Sequence, residues 1–353
     1  MYASWIPQSR ILTTNVFSSE LAKLVANAML AQRISSINSI AAVCDEAGAD
    51  VDEVARAIGA DPRIGRQFLR AGIGFGGSCF KKDVLSLVYL AETLVLPEVA
   101  DYWRAVIAMN EFARNRFVSR VVKGLNNTLA GKKVTVLGYA FKKDTNDTRE
   151  SPALDIIRSL AEEGPREIAI FDPLCIPAQI MDEVSGSAGL HALQSRGGRV
   201  AVYADAYAAC QGSHAVLITT EFDEFKNTPQ ERTLEDHPQV FEKVELDHSQ
   251  VLTIPSNQTT PPNAEDGPLN GFNPMPPCAE DCPDCQAQNI GQTTSYRAKD
   301  SVPKARLDWR KVHHHMKRPH LVFDGRGVLD IAAMEGIGFR VESVGRRSGM
   351  AVI

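Results

Sequence analysis

At Lys132 the hydrophobic pattern of the chain changes period, and that change limits the folds open to it. Before it, Leu21, Leu24, Val25, Ala28, Ile34, Ile37 and Ala41 recur at helical spacing and predict one long helix from Ser18 to about Cys44. A second helix begins at Asp50, where D-V-D-E supplies an N-cap and a carboxylate three residues on, and ends at Gly59. A third follows Cys79, and a fourth runs from about Glu98 to Leu125 with Trp103, Ile107, Phe117, Val121 and Val122 in its apolar stripe. Beyond Lys132 the apolar runs are short and β-branched: KKVTVLGYAF, EIAIFDP, RVAVYAD, HAVLITT, HLVFDGR and FRVESVG, with helical stretches such as SPALDIIRSLAEEG, 204–211 and 327–336 between some of them. The expected fold class is α/β: an all-helical part over 15–128, then a mostly parallel α/β sheet over 131–353.

Between about 227 and 306 the pattern lapses into a stretch rich in proline, asparagine and glycine, and roughly eighty residues there read as a disordered insertion. It holds Cys278, Cys282 and Cys285, whose spacing lacks a fourth ligand, so no metal is expected. The formal net charge is -5, which gives no support to a nucleic-acid partner, and no apolar run reaches a membrane span. No secretory leader is apparent and the cysteines number seven, so a cytoplasmic protein with reduced thiols is expected. The helices over 18–44 and 98–125 carry more apolar surface than one small domain needs, which suits a dimer core, although packing on each other and on the sheet is the plainer alternative.

One stretch concentrates chemistry. In 72-GIGFGGSCFKKD-83 a run of glycines delivers Cys79 to a helix start beside Lys81 and Lys82, where the helix dipole and the cations favour a thiolate. Asp83, four residues on, returns to the face of Cys79, so a nucleophile and a carboxylate share one side of the helix. A cysteine packed at a glycine turn fits the spacing as well, and both readings stay open. Gly72, Gly74, Gly76 and Gly77 allow backbone N–H groups to approach a ligand and cradle an anion, but the context is not that of a dinucleotide fingerprint. Lys23 and Asn27 project from one face of the first helix and can stabilise an oxyanion together, with a solvated lysine and a capping or core asparagine as the alternative. Lys142, Lys143, Arg149 and Arg326 fall in loops of the sheet half, where anions bind at the carboxyl ends of strands.

The segments SSELAKLVANAMLAQRISSINSIAAVCD, RIGRQFLRAGIGFGGSCFKKD, LGYAFKKDTNDTRES and VFDGR closely resemble the UDP-glucose/GDP-mannose dehydrogenase family, over nearly all of 1–226 and 307–345. The resemblance implies a central helical dimerisation and catalytic region followed by a Rossmann-like UDP-binding domain. It implies an NAD-dependent oxidation of UDP-glucose to UDP-glucuronate in two steps. Cys79 matches the nucleophile, Lys23 and Asn27 the oxyanion stabilisers, and Asp83 the carboxylate that assists water. Phe75, Gly76, Phe141, Lys142 and Arg326 fall on substrate positions, Arg70 stands in the substrate loop where the family usually has lysine, and Arg63 matches an arginine contributed across a dimer. Lys82 and Arg149 fall near NAD. The histidines, His313 to His315 included, are expected to be a solvated stretch with no role.

The family's amino-terminal Rossmann domain has no counterpart here, so 1–14 is expected to be the remnant of the linker that follows it, and little turnover is expected of the chain alone. A non-catalytic UDP-sugar-binding dimer, or a sister enzyme for another UDP-sugar or GDP-mannose, remains an alternative.

Overall fold

The computed structural model describes residues 2–186, 198–227 and 306–346. Two short 3-10 turns, Tyr2–Ser4 and Gln8–Arg10, lead into α1 (Val16–Ala47). The side chain of Asn15 caps α1 by accepting from the Ser18 N–H at 2.8 Å, and Gly48 ends it in the left-handed conformation. Then come α2 (Val51–Gly59), capped by Asp50, α3 (Ser78–Thr93) and α4 (Pro97–Gly124). Helices α1, α3 and α4 pack around Ala28, Ala31, Phe75, Val84, Leu87 and Val106. Residues 60–77 between α2 and α3 are loop and turn, so the helical part is less continuous than its sequence suggests.

The second half contains β1 (Lys133–Leu137), α5 (Pro152–Glu162), β2 (Glu167–Phe171), α6 (Pro177–Gly186), β3 (Val200–Val202), α7 (Ala206–Cys210), β4 (Ala215–Ile218), α8 (Trp309–His315), β5 (Leu321–Asp324), α9 (Ile331–Ile337) and β6 (Arg340–Ser343). The strands form one sheet in the order β3-β2-β1-β4-β5-β6, and every neighbouring pair is parallel, with registers such as Val134↔Ile168, Val134↔Ala215 and Leu321↔Arg340. Helices cover both faces, which explains why the strand sequences are continuously apolar. The order reverses between β1 and β4, and a crevice at such a switch is where parallel α/β sheets bind ligands.

Helix α4 belongs to both halves. Its first turns close the helical core, while Phe117 and Val121 join the sheet core with Leu125, Phe323 and Leu137. Gly124 lets α4 approach the sheet closely, since a Cβ there would lie 2.8 Å from Cζ of Phe323. Asp45 on α1 adds ion pairs to Arg116 and Arg120 of α4, and Arg120 reaches Glu342 on β6.

Helices α6 and α8 did not stand out in the sequence. His313 also departs from expectation: it packs against His320 with the rings tilted by 38° and their centres 4.2 Å apart, and edge-on to Phe339 at 5.0 Å, while His314 alone of the three is exposed. The insertion expected over 227–306, with its three cysteines, lies outside the described residues. Its flanks are pinned together: the N–H of Leu307 donates to the Glu224 carbonyl at 2.8 Å, and Trp309 Nε1 donates to the Phe225 carbonyl at 3.0 Å. Among the described residues no helix is long and apolar enough to cross a membrane.

Candidate functional site

Asp83, on the inward face of α3, is wholly buried. Its Oδ2 accepts from Lys23 Nζ at 2.5 Å and from Asn27 Nδ2 at 2.6 Å, and Lys82 Nζ stands 3.4 Å from Oδ1. Burial alone pushes the carboxyl pKa up; the two hydrogen bonds and the two ammonium charges overcome it and hold the group below its ordinary value. The i, i+4 spacing of Lys23 and Asn27 on α1 therefore converges on the carboxylate, not on solvent. Cys79 lies one turn earlier on α3 and is exposed, whereas Cys44, Cys175 and Cys210 are buried free thiols.

Most N–H groups of the glycine loop are already satisfied by protein. Gly72 N donates to Asn38 Oδ1 at 2.8 Å, Ile73 N to the Gly325 carbonyl at 3.0 Å, Phe75 N to Asn110 Oδ1 at 2.8 Å and Gly77 N to the Glu150 carbonyl at 3.3 Å. Of the four glycines expected to cradle an anion, Gly72 and Gly77 thus spend their N–H groups on protein, and the glycines also serve a tight seam with the sheet half. A Cβ on Gly72 would sit 2.7 Å from the Gly325 oxygen, and one on Gly76 2.6 Å from Cδ of Pro152. Gly77 stands at φ +83° with the Phe141 ring over it, 2.9 Å from where its Cβ would be. Phe75 faces inward, edge-on to Phe80 at 5.6 Å.

Across that seam, Arg326 follows β5. Its Nε donates to the Thr219 carbonyl at 2.8 Å and its Nη1 to the Gly74 carbonyl at 2.9 Å, while Nη2 is buried without a hydrogen-bond partner. Burial pushes its pKa down, the Glu221 carboxylate 3.5 Å away opposes this, and the nearby charge of Arg70 adds to it. Arg70 is anchored through Nη2 to the Gly327 carbonyl at 3.0 Å. Lys142 is exposed, its ammonium 5.3 Å from the centre of the Phe141 ring. Arg70, Phe141, Lys142 and Arg326 thus stand on loops at the carboxyl ends of β1 and β5 or against them.

Arg149 is held by Asp147, whose carboxyl is lowered to about 2 chiefly by that hydrogen bond. Asp147 in turn raises the Arg149 pKa, by its hydrogen bond first and its charge second. Lys81 pairs with Glu150 at 2.9 Å. A cleft of about 550 Å³ runs along the outer face of α3, lined by Ser78, Lys81, Lys82, Leu85, Tyr89 and Glu150 among others. Arg63 is not brought to this region within one chain: it is exposed and paired with Asp61 at 2.6 Å.

Three residues had escaped the sequence reading. Asp172, at the end of β2, accepts from the N–H groups of Tyr139, Ala140, Leu174 and Cys175 at 2.6–2.9 Å and so shapes the loop that carries Phe141 and Lys142. Asn38 and Asn110 clamp the glycine loop from α1 and α4. An asparagine on an apolar helical stripe was the available signal for both. Among the described residues no set of three or more metal-ligating side chains clusters.

The sequence matches two family models: the UDP-glucose/GDP-mannose dehydrogenase family central domain over residues 17–112 and the same family's UDP binding domain over 135–248. A UDP-glucose 6-dehydrogenase of Mus musculus is 54% identical over 349 residues, and one of Drosophila melanogaster 38% identical over 347, each covering 98% of this chain. The chain spans about half the length of the curated relatives it matches, 54% and 56% for these two. The structure of a UDP-glucose dehydrogenase from Pyrobaculum islandicum is 33% identical, covers 58% of this chain and 44% of its own, and superposes with a TM-score of 0.50. The chain is a member of the UDP-glucose/GDP-mannose dehydrogenase family and carries its central and UDP-binding domains.

Proposed function

We propose that this chain forms the catalytic-thiol and UDP-sugar half of an NAD-dependent dehydrogenase that oxidises UDP-glucose to UDP-glucuronate. One observation carries the reading: a buried guanidinium, Arg326, keeps an unpartnered Nη2 at the carboxyl end of the sheet and is bonded to the loop that delivers Cys79. A buried donor of this kind favours an anionic ligand. UDP-glucose then lies with its diphosphate and sugar toward Arg326, Arg70, Lys142, Phe141 and Gly76, and with its sugar C6 toward Cys79. Phe75 contributes from behind, by holding the loop.

Lys82, which lines the open cleft, and Arg149, whose neighbour Glu150 lines it, fit one end of NAD. Among the described residues β1 leads into Gly138-Tyr139-Ala140 and a long loop, not a glycine-rich turn, so these domains offer no cradle for the pyrophosphate. NAD, when bound, supplies the hydride acceptor for both oxidations. Once C6 is an aldehyde, the Cys79 sulfur adds to its carbon and the carbonyl oxygen gains the electron pair as an oxyanion. Lys23 and Asn27, aligned by Asp83, present two donors to that charge. After the second oxidation, water adds to the thioester carbon and gives its proton to the Asp83 carboxylate, beside the Lys23 ammonium; the C–S bond then breaks and Cys79 leaves as the thiolate.

The exposed Val16, Phe17, Leu21 and Met29 of α1 support a homodimer, in which Arg63 serves the partner's substrate. A cytoplasmic location belongs to the same proposal and rests on the free thiols.

The test is calorimetric titration of the chain and of Arg326→Met with UDP-glucose, beside NADH formation by the chain and by Cys79→Ser. Binding that weakens at least about tenfold in the Arg326 variant is expected, with little turnover by the chain alone. Absence of UDP-glucose binding by the unaltered chain refutes the reading, and binding without turnover even when a family NAD-binding domain is supplied in trans favours a non-catalytic UDP-sugar-binding dimer.

A further inference from the structure

The peptide unit joining Gly74 to Phe75 is gripped at both edges by side chains from different parts of the fold. Its carbonyl accepts from Arg326 Nη1 at 2.9 Å, and its N–H donates to Asn110 Oδ1 at 2.8 Å. Asn110 lies on α4, 5% exposed, and its Nδ2 donates to the next carbonyl, that of Phe75, at 3.1 Å. One amide therefore satisfies both polar groups of Phe75, as a neighbouring strand does in a sheet. The fit is tight from the other side too: Gly74 stands at φ +94°, and a Cβ there would lie 2.5 Å from Asn110 Oδ1.

Three residues later the loop becomes α3. No side chain caps that helix start, since Gly77 occupies the N-cap position. The place of Cys79 is therefore set by the backbone tethers before it, and the buried Phe75 pair is the side-chain tether nearest to it. A buried amide is worth keeping over an apolar side chain only when its bonds are made, and here both are spent on this one residue.

We propose that Asn110 is a positioning residue for Cys79, acting through the Gly74–Phe75 peptide, and that the same peptide carries the occupancy of Arg326 to the thiol. The second part rests on the reading of Arg326 as a UDP-sugar contact; the first does not.

The first part is tested on ligand-free protein by the rate at which iodoacetamide alkylates Cys79, followed by mass spectrometry of the tryptic peptide. Asn110→Ala speeds alkylation about tenfold, the equivalent of one buried hydrogen bond lost from local opening. Gly74→Ala does the same by pushing the peptide off Asn110. The double variant reacts no faster than the faster single one, because both act on one contact. An alkylation rate unchanged in folded Asn110→Ala overturns the proposal, and so do single effects that multiply. Should Asn110→Ala fail to fold, Asn110→Ser, too short to reach Phe75 but still polar, takes its place with the same expectations.

For the second part, saturating UDP-glucose slows alkylation of the unaltered chain, and that factor falls toward one in Asn110→Ala while calorimetric affinity stays within about threefold. A protection factor equal in both proteins means that the sugar merely shields the thiol, and overturns the coupling. If UDP-glucose does not bind the unaltered chain, the functional reading fails on its own, while the ligand-free rates still decide the role of Asn110.

Discussion

Replacing Lys23 by methionine removes the first of the partners that keep a wholly buried carboxylate ionised. Breaking a fully buried ion pair costs about 3–5 kcal/mol. Here the lysine side chain is 59% exposed, so solvent already screens the pair, and Asn27 at 2.6 Å and Lys82 at 3.4 Å remain on Asp83. The expected loss at pH 7 is about 2 kcal/mol, or about 4–8 °C in thermal midpoint. The pH dependence is the sharper reading. In the unaltered chain the folded carboxyl has a lowered pKa, so its stabilisation is complete above the unfolded value near about 3.9 and is lost only as pH falls through the folded one. In Lys23→Met burial dominates and the folded pKa rises above the unfolded value, so the variant regains stability as pH falls through that raised pKa. The gap between the two proteins is widest at pH 7–8 and narrows toward pH 4.5. Asp83→Asn in the Lys23→Met background removes the stranded charge and restores most of the loss. Thermal midpoints taken every half unit between those limits check all of this. Parallel profiles, or a double variant no more stable than Lys23→Met, refute the argument.

Gly77→Ala strains a residue at φ +83° and drives a methyl into the Phe141 ring; a loss of about 2–3 kcal/mol is expected, with weaker UDP-glucose binding by calorimetry. Gly212→Ala, at φ +70° with open space around it, is the control and loses only the conformational part, about 1 kcal/mol. His320 has its pKa lowered by burial first and by His313 second, so it charges at a cost: stability is present above the unfolded value near about 6.5 and is lost as pH falls. His320→Asn, chosen because asparagine tolerates φ 53°, flattens the urea midpoint between pH 7 and 5; an unchanged slope sinks the assignment.

The sheet was legible because its strands are buried on both faces and so read as unbroken apolar runs between glycine-rich turns. The long helices were legible from their stripes. Helices α6 and α8 are ten and seven residues long, too short for a period to stand out, and α8 follows directly on the stretch without pattern. Within the site, Cys79 with Asp83 and Lys23 with Asn27 were each visible as i, i+4 pairs. That the two pairs meet on Asp83 depends on how α1 packs against α3, which no local spacing encodes. The glycine loop was read as facing a ligand because a missing side chain says that something comes close, not what. Asn38, Asn110 and Asp172 were passed over for a related reason: each satisfies backbone groups distant in sequence, so an asparagine on an apolar stripe says that a polar partner exists but not which one, and Asp172 leaves no local signature at all.

The pinned flanks at Glu224–Phe225 and Leu307–Trp309 carry a practical consequence. The sheet domain closes through those bonds, so the chain on either side of 227–306 is brought side by side, and the entropic cost of joining two such ends grows only slowly with the length of the connection. The position works as an open port. Joining the two flanks by a few glycines and serines, or lodging a reporter domain between them, should leave the parallel sheet and the seam with α3 untouched, which makes it the natural place to fasten these two domains to a surface or to another protein.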